Sequence, residues 1–168
     1  TLMHRGRWAF TALATALLVG RSTLPTEAAA NTVMAVRQIS GQVDWARGQA
    51  PWAALDKSRT LQTGDRLRTG ALGMVMLVLP EQAGFVQVFP KSELAVSDLA
   101  RLGSGGAVQA TMRLNHGKAF VRLRRFTVTA SRFRLATRAG VAEVHGTEFA
   151  IAVDESGLSS IGVADGQV

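Results

Sequence analysis

Apolar and polar residues alternate along much of the chain after residue 31, which is the period of a β-strand. Ala119, Val121 and Leu123 alternate with Arg122 and Arg124. The same period returns in three later segments, 126–130, 132–135 and 147–153. Because alternation places each set of residues on its own face of a sheet, these segments predict strands with one buried face and one polar face.

Two further segments predict strands by a different pattern. Residues 74–79 (MVMLVL) form a continuous apolar run between Gly73 and Pro80, and residues 85–89 (FVQVF) follow it. A short, Val-rich run of this kind is typical of a strand that is buried on both faces. Helical patterns are brief, at Pro51 to Leu55 and at Ser92 to Leu99. We therefore expect an all-β fold.

Glycines punctuate the chain at short intervals from Gly41 to Gly166. Many short strands separated by glycine-containing turns favour a single β-sandwich, jelly roll or β-solenoid over an α/β sheet. The 168 residues provide for one such domain and a short appendage.

The first thirty residues have the pattern of a signal peptide. Basic Arg5 and Arg7 precede an apolar run over 9–19, and Ala28 to Ala30 supply small residues for cleavage. A membrane anchor is the alternative, but a spanning helix needs about 20 apolar residues and Arg21 interrupts this run. We expect a signal-peptide helix over 1–30, a β domain over 31–168, and a periplasmic, cell-surface or secreted location.

The composition argues against catalysis. There is no cysteine, which excludes disulfides, thiolate nucleophiles and cysteine zinc sites. The mature part has two histidines, His116 and His145, and no nucleophile elbow or phosphate loop. His145 lies near Glu143 and Glu148, but on a strand these provide too few ligands for a metal. We predict no catalytic residue, no cofactor and no metal, and we interpret the chain as a binding protein.

Positive charge is concentrated in one region. The chain carries a net charge of +7, of which the leader accounts for +2, and no acidic residue lies between Arg113 and Arg138. If the strands that begin at Ala119 and Ser131 pair, four arginines form one basic stripe: Arg122, Arg124, Arg132 and Arg134. Such a stripe would attract an anionic partner such as lipopolysaccharide or an acidic glycan, whereas the simpler alternative is a solvated sheet face. Export and the absence of tyrosine argue against nucleic acid.

Three stretches, in order, resemble the FecR domain family. The first comprises 41–45 (GQVDW), 51–55 (PWAAL) and 61–70 (LQTGDRLRTG); the second is 74–90; the third is 144–149 (VHGTEF) with 163–168 (VADGQV). Seven residues carry the match and are expected to determine the fold: Gly64, Asp65, Thr69, Gly70, Gly146, Thr147 and Phe149. The chain departs from the family at His145, where arginine is common.

The resemblance implies a role in envelope signalling. Well-known members resemble transmembrane regulators that handle a sigma factor through a cytoplasmic segment, and this sequence shows neither that segment nor a spanning helix. It is closer to exported members without a sigma-factor module. The expected function is therefore a non-catalytic signalling module that binds an envelope protein; the alternative is a glycan or lipopolysaccharide module that uses the arginines. We also expect at least one of Trp45 and Trp52 to be buried.

Overall fold

The fold is built almost entirely from strands. A computed structural model describes residues 32–124 and 131–167, apart from the side chains of 145–147 and 165–167. Its strands are β1 (Met34–Ser40), β2 (Val43–Arg47), β3 (Ala53–Ala54), β4 (Thr60–Leu61), β5 (Asp65–Thr69), β6 (Met74–Val78), β7 (Gly84–Val88), β8 (Glu93–Leu102), β9 (Ala107–Leu123), β10 (Arg132–Ala136), β11 (Val141–Val153) and β12 (Ser159–Gln167). A single 3₁₀ turn, Pro80–Gln82, joins β6 to β7. The predicted all-β class is confirmed; the predicted signal-peptide helix lies outside the described residues.

The strands form one curled sheet with two halves. The first half, here called layer one, runs β3-β2-β5-β8-β9 and continues through β10 to the start of β11. Layer two runs β4-β1-β6-β7-β9 and continues through the end of β11 to β12. All pairings are antiparallel except β9 with β10. Every described strand pairs with at least one other strand within 34–167.

The two layers share β9, which is 17 residues long. Residues 107–116 of β9 pair with β8 in layer one, and 119–123 pair with β7 in layer two. The strand changes layers at Gly117, whose φ of +93° is accessible to glycine and strained for other residues. The chain therefore folds back on itself at this residue, and the layers come face to face.

A network of buried hydrogen bonds holds the crossing in place. The Thr69 hydroxyl donates to the Phe89 carbonyl at 2.6 Å and accepts from the Ser92 N–H at 2.9 Å. The Ser92 hydroxyl in turn accepts from the Lys118 N–H at 2.9 Å. Thr69 and Ser92 are both buried, so each hydroxyl satisfies backbone groups that would otherwise be costly to bury.

One hydrophobic core fills the space between the layers. Layer one contributes residues such as Leu67, Leu94 and Met112, and layer two contributes Leu77 and Val121. All of these are less than 1% exposed. Because the inner faces meet in a single core, the outer faces of the two layers point in opposite directions.

The turn before β5 is organised by a buried carboxylate. Asp65 is fully buried and accepts hydrogen bonds from Arg47 Nε at 2.8 Å and from the Gln62 N–H at 2.9 Å. This contact raises the pKa of the Arg47 guanidinium above its usual value, since the hydrogen bond to Asp65 favours the charged form. Gly64, at φ +89°, donates its N–H to the Val96 carbonyl. The carboxylate thus joins β2, the turn and β5.

Three local predictions were wrong. Both helix candidates lie on strands: β3 falls within 51–55, and 93–99 belong to β8. Val75 and Leu77 of β6 are buried, but Met74, Met76 and Val78 on its other face are only half-buried. The apolar run at 74–79 is therefore not covered on both faces by the described part of the chain. In a two-layer fold each strand has one face on the core and one face directed outward, and β6 is no exception.

Replacing Gly117 by alanine should destabilise the fold strongly. The added Cβ would lie 2.5 Å from Ser92 Cα, and closer still to its Oγ, at a φ that alanine disfavours. We expect a loss of about 3 kcal/mol in the free energy of unfolding, measured by urea denaturation. Gly105→Ala, in a turn with no atom within 4 Å of the new Cβ, is the matched control. Equal midpoints for the two variants would contradict the role of the crossing.

The charge on Asp65 should matter far more than that on Asp44. Asp65→Asn keeps the shape but weakens the hydrogen bonds that the buried carboxylate accepts, at a cost of about 2 kcal/mol. Asp44→Asn removes the ion pair with Arg68, a contact in which the Arg68 side chain is 46% exposed; surface pairs of this kind contribute less than about 1 kcal/mol. Urea midpoints measured side by side test the difference, and a larger loss for Asp44→Asn would refute it.

Candidate binding surfaces

The seven residues that carry the family resemblance lie at structural positions. Gly64, Asp65 and Thr69 organise the turns described above. Gly70 donates its N–H to the Gln42 carbonyl at 2.9 Å and its own carbonyl accepts from Lys91. These contacts close turns and leave no side chain directed at a ligand.

The second group of motif residues lies on β11. The pairing of β11 with β12 shifts in register between His145 and Glu148, and Gly146 and Thr147 lie at this shift. Phe149 is fully buried and packs edge-on against Phe133 at 6.4 Å between ring centroids. Since Phe133 belongs to layer one and Phe149 to layer two, this pair joins the layers.

The four arginines do not form one stripe. The strand expected from Ser131 is β10, and it pairs with 109–113 of β9, not with 119–123. Arg132 and Arg134 therefore lie on the outer face of layer one, while Arg122 and Arg124 lie on the outer face of layer two. Two of the four are also engaged in ion pairs. Arg122 Nε lies 2.6 Å from Glu148, and Arg134 Nε lies 3.0 Å from Glu143.

The two tryptophans of the β domain are half-buried and covered by arginines. The Arg59 guanidinium lies 3.8 Å from the centroid of the Trp45 ring, and Arg66 and Arg68 lie 4.7 and 4.6 Å from that of Trp52. The expectation that at least one tryptophan is buried is met only in part, because both rings are half-buried on the β2–β3 margin of layer one, where Trp45 packs against the core. Alternation could not reveal these contacts, since each arginine is distant in sequence from its ring.

Two of these arginines have a buried nitrogen that stacking shields from water. The Nε atoms of Arg59 and Arg66 are buried and have no hydrogen-bond partner among the described residues. Stacking of a guanidinium on an indole face is favourable and helps to offset this loss. The aromatic margin is thus occupied by the protein's own side chains.

The edge of layer two presents apolar side chains to solvent. Within the described chain β12 pairs only with β11, so its outer edge is unpaired. Ile161 and Val163 are each 46% exposed, although they lie opposite the buried Ile151 and Phe149. Val141, 64% exposed, lines the same hollow as Ile161. The alternation of Ile161 and Val163 is visible in the sequence, but the free edge depends on sheet topology.

Other kinds of site are not evident in the part of the chain that the structure describes. No group of three or more His, Asp or Glu side chains within it could hold a metal ion. No helix among the same residues is long and apolar enough to cross a membrane.

Comparison with known proteins identifies the family of the chain. A family model described as FecR protein matches residues 65–168, from the first residue of β5 to the end of the chain. No curated protein and no solved structure matches the chain. The strands that precede the match belong to the same fold, since β1 pairs with β6 and β2 with β5. With the family model covering more than half of its residues, the chain belongs to the FecR protein family.

Proposed function

We propose that this chain is an exported, non-catalytic regulatory module of the cell envelope that acts by binding another protein. Membership of the FecR family supports a regulatory or signalling role. Within this proposal residues 1–30 are a signal peptide that is removed, and residues 31–168 form the binding domain. The partner is an envelope protein, reached in the periplasm or at the cell surface.

The outer edge of β12, which no other described strand pairs with, is the observation that carries the proposal. Its nine residues include one charged side chain, Asp165, and no lysine or proline. Natural sheet edges are usually protected by such residues, because bare edges recruit other strands. An edge of this length without that protection suits the addition of a partner strand, in which main-chain hydrogen bonds provide affinity.

The exposed side chains indicate the kind of segment that fits. Ile161 and Val163 lie on the core-facing side of layer two, yet the described chain covers them only in part. An extended segment with apolar residues at every second position would continue this face and bury both side chains. Leu158, which is 71% exposed beside the start of β12, adds to the apolar surface.

The alternative function loses its original basis. A glycan or lipopolysaccharide site was expected on one stripe of four arginines, and the pairing of β10 with the first half of β9 separates them onto opposite faces. The tryptophan rings of the β2–β3 margin, the aromatic surface available for stacking on sugars, are covered by Arg59, Arg66 and Arg68. Protein binding is therefore the function that the described surfaces favour.

Lysines at Ile161 and Val163 of β12 should strongly reduce capture of the partner. Residues 31–168, immobilised and incubated with envelope extract at high salt, should retain a specific protein that mass spectrometry identifies. The double variant Ile161→Lys/Val163→Lys should reduce its recovery at least about tenfold, because charged side chains block strand addition. Both positions are exposed, so circular dichroism should show an unchanged fold.

The matched control is Leu72→Lys, which makes the same type of change at a residue that is 84% exposed on the turn between β5 and β6. This variant should capture as much partner as the wild-type domain. Equal recovery with the double variant would show that the β12 edge is not the binding site. Failure of the wild-type domain to retain any protein at high salt would overturn the proposed function itself.

A further inference from the structure

The outer face of layer two has an unusual composition for a solvent-facing sheet. The outer face of a two-layer antiparallel fold is ordinarily polar. Here it includes Met76 and Val78 of β6, Phe85 of β7 and Phe120 of β9, all half-buried. Phe85 and Phe120 contact one another with ring centroids 6.0 Å apart. An apolar strip therefore crosses the middle of this face.

The strand registers show how the strip crosses the sheet. In one row across the sheet, Ala35, Val78, Phe85 and Arg122 lie directly opposite one another on β1, β6, β7 and β9. The neighbouring row begins at Gln38 and passes through Met76, Gln87 and Phe120. Val78 and Phe85 thus form the centre of the first row, which ends at Arg122, while Gln87 separates Met76 from Phe120 in the second.

Basic side chains border the strip on both sides. Arg37 lies on the β1 side; Lys118 and Arg122 lie on β9, and Arg124 follows its last residue. Arg122 is paired with Glu148 and lies 5.8 Å from the Phe85 ring. The other three basic residues have no ion pair among the described residues; Lys118 lies over the Phe89 ring at 5.2 Å. The described side chains of this face consequently carry an excess of positive charge.

The shape of the face determines which anionic partner it suits. Arg37, Met76, Val78, Phe85 and Arg124 line one broad, open hollow on the sheet surface. A site for a small ligand normally encloses most of the molecule, whereas this hollow is open to solvent along the sheet. An open apolar strip bordered by guanidinium groups matches a bilayer surface, where anionic headgroups attract the arginines and apolar side chains enter the interface.

We infer that the outer face of layer two is a docking surface for an anionic lipid bilayer, with Arg37, Lys118 and Arg124 on headgroup phosphates and Met76, Val78 and Phe85 at the acyl boundary. This role is separate from protein binding at the β12 edge. Of the predicted anion-binding set it retains Arg124; Arg122 lies on the same face but is paired with Glu148, and Arg132 and Arg134 lie on the opposite face.

Vesicle sedimentation tests the inference. The probe is a vesicle of phosphatidylglycerol and phosphatidylcholine, compared with a vesicle of phosphatidylcholine alone. The protein is residues 31–168, since the apolar run at 9–19 would itself partition into lipid and the described strands pair within 34–167. Binding should require phosphatidylglycerol and weaken as salt is raised. The double variant Arg37→Ser/Arg124→Ser should weaken vesicle binding about 30-fold, because each cation near the membrane surface contributes roughly fivefold.

Two variants separate the docking face from net charge and from misfolding. Arg132→Ser/Arg138→Ser removes the same charge from exposed positions away from this face and should leave binding nearly unchanged. Arg37→Lys/Arg124→Lys should retain most of it. An equal loss in both serine variants, or equal binding to neutral vesicles, would overturn the inference. So would full displacement by glycerol phosphate at constant ionic strength, which would indicate a site for a soluble anion.

Discussion

The change of layers at Gly117 is the constraint on which the rest of the fold depends. A strand of 17 residues can serve two sheets only if it bends sharply at one point without losing its hydrogen bonds. Gly117 allows the bend because it has no Cβ, and Ser92 fills the space that a side chain would need. Thr69 fixes Ser92, so β5, β7, β8 and β9 meet at one buried polar network.

This network explains why the family motif is informative about architecture and says little about ligands. Thr69 and Gly70 close the turn that leads to the crossing, and Asp65 fixes the other end of β5. A sequence that retains these residues will curl its sheet in the same way whatever it binds. The surfaces with exposed apolar or basic residues lie elsewhere, on β12 and on the outer face of layer two.

Local pattern predicted much of the fold, and it failed where the outcome depended on the surroundings of a segment. Alternation correctly assigned Ala119 to Leu123 and the segment around Phe149, because each side of a strand in a two-layer fold has a uniform environment. The apolar run at 74–79 was wrongly predicted to be buried on both faces. Its alternation was hidden because methionines and valines also occupy the outer face, which is half-exposed. The helix expected at 92–99 was wrong because pairing with β5 and β9 outweighs local propensity.

The arginine stripe failed at a different level, since it required knowing which strands are neighbours. Alternation assigns Arg132 and Arg134 to one face of β10, and it does so correctly. It contains no information on whether β10 lies beside the first or the second half of β9. That choice follows from the crossing at Gly117, which places the two halves of one strand in different layers. Contacts between distant segments, including Arg59 on Trp45, are beyond local pattern for the same reason.

The two proposed surfaces are geometrically compatible because both belong to layer two. The strip on β6, β7 and β9 lies in the middle of that layer, and β12 is its last strand beyond β11. A bilayer against the outer face would leave the free edge of β12 pointing along the membrane plane, since strand addition occurs within a sheet and not on its face. Ile161 and Val163, on the core-facing side, would then be directed away from the lipid. A domain docked in this way would present its unpaired edge to proteins at the same membrane surface, which restricts the search for a partner to two dimensions.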